Sequence, residues 1–177
     1  MAGEHAGRQV SVTPAGAAER PLIEGLFQFY VYDFSELEPS GSSALSFNDA
    51  GLFDPYSHLP EYWTAPDRWP LLIRVDGQLA GFVLINTLSH RGGAVERNMA
   101  EFFVARKYRG DGVAAEALHK VFALHPGRWE VAVVARNARA LTFWPRAIAA
   151  APSVRDIERL DWDDAHWKGP IWTFVAG

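Results

Sequence analysis

The stretch Glu101-Phe-Phe-Val-Ala-Arg-Lys-Tyr-Arg-Gly-Asp-Gly-Val-Ala-Ala-Glu-Ala-Leu118 brings together residue types that chemistry can use. An apolar run carrying one carboxylate stops, a basic turn with two glycines follows, and a helix-forming segment begins at once. That order presents several backbone N–H groups at the positive end of a helix dipole, a site suited to a pyrophosphate or similar anion. Gly110 and Gly112 let the main chain approach a ligand and adopt conformations that a Cβ forbids. The residues of this cradle are Arg109, Gly110, Asp111, Gly112, Val113 and Ala114, with Arg106 and Lys107 as further local cations. Taken alone, the charges read as a solvated loop; joined to the glycines and to the Asn137 segment below, they favour an anion site. A Walker loop needs Lys and Ser/Thr after its last glycine, and a dinucleotide fingerprint needs a third glycine where Val-Ala-Ala stands, so neither fits.

Further along, Arg128-Trp-Glu-Val-Ala-Val-Val-Ala135 is rich in β-branched residues and reads as a strand. Asn137-Ala-Arg-Ala-Leu-Thr-Phe-Trp144 then opens a helix, with Asn137 a competent N-cap. Arg109-x-x-Gly112-x-Ala114 resembles the [QR]-x-x-G-x-[GA] loop of GNAT-type N-acetyltransferases, and Asn137 to Trp144 resembles their N-x-x-A-x-x-[FL]-[YW] segment. Each motif is short, but the two together, in the family's order and at its spacing, are far more specific.

The resemblance implies acetyl-CoA as co-substrate, with its pyrophosphate on Arg109 to Ala114 and its pantetheine arm on Asn137, near Phe143. It also implies a main-chain N–H near Phe103 or Val104 that polarises the thioester carbonyl at a splay between two central strands. The family's usual acid, a Tyr in the helix after Asn137, is absent, because that place reads Phe143-Trp144. Core packing is the alternative role for those two aromatics. Pro145 removes an intrahelical N–H, so the helix is expected to kink there or to end near Trp144.

Transfer to an amine needs the neutral base, and a lysine-like amine is neutral only in roughly one molecule in 2,500 at pH 7. A carboxylate or His in reach can take the proton. Glu101 is the leading candidate, since the family places its base on the strand before the cradle. The alternative is a carboxylate that only solubilises a sheet edge. Alternation puts Glu101 with Phe103 on one face and Phe102 with Val104 on the other. His90, Glu96, Asp33 and Glu36 are weaker acid/base candidates, and Asp163, Asp164 and His166 read as hairpin solvation rather than a metal cluster. No metal is expected.

These residues need elements to position them. Arg8 to Thr13 alternates as a first strand closed by Pro14, and Ala17 to about Leu37 repeats apolar residues at helical spacing. Leu71 to Val75, an Asp76-Gly77 turn and Leu79 to Leu88 predict a hairpin. Met99 to Val104, Val154 to Leu160 and Ile171 to Val175 are further strands, and a short helix is expected near Tyr56 to Trp63. The order predicts one α/β (α+β) domain over 1–177, with a GNAT-like, mostly antiparallel mixed sheet flanked by helices.

The chain has 177 residues, 49% hydrophobic, which suffices for a packed core, and no apolar run of membrane-spanning length. With no cysteine there is no disulfide, thiolate metal site or cysteine nucleophile. Met1 to Arg8 has no apolar core and does not read as a secretory signal, so a cytoplasmic location is the default. A net charge of −4 argues against nucleic-acid binding.

Residues 40–69 interleave Phe47, Phe53, Tyr56, Tyr62, Trp63 and Trp69 with Asp49, Asp54 and Glu61. That suits either a cationic acceptor or simple packing onto the sheet. The expected activity is acetyl transfer from acetyl-CoA to an amine of a small molecule or peptide. The alternative is a non-catalytic acyl-CoA sensor on the same fold; a nucleotide-binding protein ranks last. Homodimers are common in the family, and the partner surface stays open.

Overall fold

The computed structural model describes residues 8–177; the Met1–Arg8 leader reading therefore lies almost wholly outside them. Asp76 and Gly77 both adopt positive φ, 49° and 77°. Such a two-residue turn matches the twist of the strands it joins and folds β2 (Trp69–Val75) onto β3 (Gln78–Leu88). β1 (Val10–Pro14) adds antiparallel to β2 at the sheet edge, where a strand-terminal proline leaves no ladder bond unmade. β4 (Ala94–Val104) runs antiparallel to β3 and starts five residues before the expected Met99.

β5 (Gly127–Ala132) lies parallel to β4, but only Arg97 with Trp129 and Asn98 with Glu130 are in register. Beyond Asn98 the two strands separate. β7 (Lys168–Ala176) inserts antiparallel beside β5, and β6 (Val154–Asp163) takes the outer edge. The sheet order is β1-β2-β3-β4-β5-β7-β6, mixed and mostly antiparallel as the sequence predicts.

Helices cover both faces. α1 (Arg20–Ser35) buries Ile23, Phe27 and Val31 on one face, where the loop residues Phe53, Leu59 and Tyr62 join them. α2 (Val113–Leu124) and α3 (Ala138–Ala149) pack on the other, around Leu118, Phe122, Trp129 and Ile148. A short 3₁₀ turn at Leu59–Trp63 stands where a helix is expected. α3 does not end near Trp144: it continues through Pro145 to Ala149, its Trp144, Ala147 and Ile148 anchored in the core. Burying that apolar stripe outweighs one missing hydrogen bond.

Opposite β3, Leu84 pairs with Glu101 and Ile85 with Met99, so Ala100 is an extra residue on β4. This bulge turns the neighbours Ala100 and Glu101 toward the same face. Ahead of it, Phe103 packs on the α1 side while Phe102 and Val104 pack on the α2–α3 side, the alternation read from the sequence. Gly81 faces this part of β4 so closely that a Cβ would overlap the Phe103 carbonyl. Among the described residues no helix is long and apolar enough to cross a membrane.

Candidate active site

Where β4 and β5 part, a cavity of about 410 Å³ opens between them. Its floor is Met99 to Phe102 on one side and Val131 to Val134 on the other. α1 closes one wall with Phe27, Tyr30 and Phe34; Asn137, Ala140 and Trp144 of the α3 region close another; His90 and Trp167 stand at the β5–β7 end.

The splay leaves part of β4 without a second strand. Ala105 N donates to Ala80 O at 2.8 Å. Alternate residues on β4, Phe103 and Glu101, therefore direct their N–H groups at β3, while Phe102 and Val104 direct theirs into the gap. Of the two residues expected to offer a main-chain donor, Val104 is oriented for it and Phe103 is not. Phe102 joins Val104 in that role. The result is a short open strand edge that an extended ligand with amide groups can complete.

Glu101 reaches into this cavity. The Tyr30 hydroxyl, on α1, donates to Glu101 Oε2. Burial pushes the Glu101 carboxyl up; the Tyr30 hydrogen bond and the nearby His90 pull it partly back, leaving it at about 7. Burial and the adjacent carboxylate raise the Tyr30 phenol well above its ordinary range, so it stays a donor. A carboxylate that changes charge near neutral pH and faces a cavity has the properties of a general base.

His90 is placed by a buried carboxylate. Glu130 on β5 is fully buried, and it accepts from Ser89 Oγ at 2.8 Å, His90 N at 2.7 Å and Arg91 Nε at 3.1 Å, with His90 Nδ1 at 3.4 Å. Burial alone would raise Glu130; the donors around it reverse that and hold it at about 2. The β3–β4 turn is thereby tied to β5, and the His90 ring sits edge-on to Trp167 at 4.4 Å. Trp167 is presented in turn by Asp164, whose Oδ1 accepts from the N–H groups of His166 and Trp167 at 2.7 and 2.8 Å. Asp164 therefore organises a turn.

At the other end of β4 the cradle takes shape. Gly112 lies in the left-handed region (φ 79°, ψ −2°) and caps α2, and Gly110 has φ 96°. A Cβ on Gly112 would meet nothing nearer than Arg8 Nη2 at 4.0 Å, so the space over the helix end is open. Asp111 is exposed beside it, and Arg8 donates to the Asp111 carbonyl. Val113 is buried and Ala114 half-buried, both packing α2 onto the core.

Arg109 does not project freely into solvent. Its Nε donates to the Val104 carbonyl at 2.7 Å and its Nη2 to Asp33 at 2.5 Å, while Arg106 also binds Asp33 at 2.7 Å. Burial works to raise Asp33, and the two guanidiniums more than reverse this, keeping it below the usual carboxylate range. Asp33, a weaker acid/base candidate, is a clamp between α1 and the cradle. Glu36 is exposed at the end of α1, and Glu96 accepts from Arg128 N at 2.7 Å, away from the cavity.

Asn137 caps α3, its Oδ1 accepting from Ala140 N at 3.0 Å, which leaves its amide N–H₂ for a ligand in the cavity. Phe143 lies behind the wall, stacked on Phe102 at 6.2 Å, and Trp144 is the residue that lines the cavity. Sequence reasoning passes over Tyr30, Trp167 and Glu130 as functional; Tyr30 is 71 positions from the carboxylate it binds, and no local signal links them.

Residues 31–148 match the Acetyltransferase (GNAT) family, and the chain belongs to that family. No curated protein sequence matches it. Solved structures share the fold at low identity. One is an acetyltransferase from Thermus thermophilus, 14% identical, covering 96% of this chain and 97% of its own, TM-score 0.63. A second is the PaiA N-acetyltransferase from Thermoplasma acidophilum in complex with coenzyme A, 9% identical, covering 96% and 99%, TM-score 0.59. A third is spermidine N-acetyltransferase from Vibrio cholerae in complex with CoA and spermine, 11% identical, covering 95% of each chain, TM-score 0.57.

Proposed function

We propose that this protein transfers the acetyl group of acetyl-CoA directly to an amine, with Glu101 as the base. The observation that carries this reading is Glu101 itself. It is a carboxyl whose pKa burial raises to about 7, bonded by Tyr30 and facing a cavity, on the strand that leads into the anion cradle. The residues present suit acetyl-CoA. Gly110 to Ala114 would receive the pyrophosphate on backbone N–H groups, with Arg8 and Lys107 nearby and Arg109 fixing the loop from below. The pantetheine amides would pair with the open edge at Val104 and with the Asn137 amide. When bound, the thioester supplies an activated acyl carbon.

The chain's own groups do the rest. An incoming ammonium gives one proton to Glu101, directly or through water, and becomes a nucleophile. Its nitrogen forms the C–N bond as the C–S bond breaks, and sulfur leaves with the bonding pair. The remaining surplus N–H proton neutralises the thiolate, which needs no strong acid because a thiolate is a fair leaving group. This is consistent with Trp144 where the family's Tyr would stand. The N–H of Phe102, beside Glu101, would stabilise negative charge developing on the thioester oxygen.

Titration calorimetry with acetyl-CoA tests the reading. Micromolar binding is expected for the wild-type protein, and its loss in Gly112→Trp, whose side chain would fill the open space over α2. No binding by folded wild-type protein would overturn it.

A further inference from the structure

The cavity carries information about the acceptor that the fold does not. Among the described residues lining it, Glu101 is the only carboxylate, and there is no lysine or arginine. The other acids line no part of the cavity, and several are occupied elsewhere. Asp33 is bridged by Arg106 and Arg109, Glu130 is enclosed by the 89–91 turn, and Glu61 of the 40–69 segment binds Arg68 and His58. Asp49 and Asp54 are exposed and line no part of the cavity. Beyond Tyr30, His90 and Asn137, the side chains lining the cavity are apolar, among them Phe27, Val31 and Phe34 of α1 and Trp167.

A second observation points the same way. Leu45 lines the mouth of the cavity at φ 51° and remains 39% exposed. A bulky residue in the left-handed region is a backbone outlier, and such strain persists where the surroundings or a ligand require it. Here it holds an isobutyl group over the opening, opposite the α1 aromatics.

We propose that the acceptor is a primary amine with a single positive charge on an aryl or alkyl body. Its nitrogen lies at Glu101, and its body lies between the α1 aromatics, Leu45 and Trp167. This rests on the acetyl-transfer reading and names the substrate class for that site. Polyamines bring further ammonium groups that would be buried without a carboxylate. Amino acids bring a carboxylate that would be buried with no lysine or arginine to pair with, His90 already lying against Glu130. Either costs more than an apolar body, which gains by leaving water.

The test is a comparison of kcat/KM, read as CoA release at saturating acetyl-CoA, for 2-phenylethylamine, hexylamine, spermidine and lysine. Phenylethylamine and hexylamine are expected to exceed spermidine and lysine by roughly 100-fold, the size of effect that one unpaired buried charge produces. Phe34→Glu, at a half-buried wall position, adds a second carboxylate. It should narrow the gap to spermidine by roughly tenfold while leaving acetyl-CoA affinity unchanged. A wild-type preference for spermidine or lysine would overturn the acceptor class and leave acetyl transfer standing. Acetyl-CoA binding without turnover of any amine would overturn both.

Discussion

Glu101 and Tyr30 form the pair on which the proposed chemistry turns. A carboxyl whose folded pKa, about 7, lies above its ordinary value near 4.5 stabilises the fold only while protonated. Its contribution is complete below about pH 4.5 and is lost as pH rises through 7. Glu101→Gln keeps an acceptor for the Tyr30 hydroxyl and carries no charge to bury. It is therefore expected to raise stability at pH 8 by of order 2 kcal/mol and to be near neutral at pH 4, as measured by urea unfolding at both values. A structural carboxylate would show the opposite trend. The sequence made Glu101 a candidate through its place on the strand before the glycine turn. Neither its burial nor its partner was legible there, because both come from α1 folding across the sheet, and helical periodicity marks Tyr30 only as one more apolar-face residue.

In the proposed function the elements divide their work between holding the fold and touching the ligand, and Asn137 would do both. As N-cap of α3 it uses Oδ1, and toward the cavity it offers its amide. The two roles separate by substitution. Asn137→Ala is expected to lose about 1 kcal/mol of stability along with acetyl-CoA affinity. Asn137→Asp keeps the cap and should lose affinity at nearly unchanged stability, when melting temperature and calorimetric Kd are measured together. Equal affinity for Asp and Asn would leave Asn137 as a cap alone. Both helix-opening motifs were readable because turn glycines and caps act within a few residues of themselves. The course of α3 past Pro145 was not: one missing N–H argued for a kink or an early end, and the helix runs on to Ala149 with Trp144, Ala147 and Ile148 buried. The bulge at Ala100 was equally hidden, since it exists only in register with Leu84 and Ile85.

At the scale of the molecule, the separation of β4 from β5 creates the cavity. Two pairs of residues hold the strands together, and the buried Glu130 fastens the neighbouring turn so that the gap opens on one side only. The alternation of strands and helices in the sequence was enough to place the mixed sheet. The insertion of β7 between β5 and β6, which brings Trp167 to His90, depends on contacts that no local pattern encodes. The aromatics of residues 40–69 were equally compatible with packing or with a substrate box. Phe53, Tyr62 and Leu59 pack, and Leu45 reaches the cavity mouth. The most direct test of acetyl transfer with Glu101 as base is the pH profile of kcat/KM for CoA release with phenylethylamine, in wild type and Glu101→Gln. Wild type should rise through a limb near pH 7, and the variant should fall by roughly 10²–10⁴-fold and lose that limb. Coincident profiles for the two proteins, or CoA release that does not depend on the amine, would contradict it.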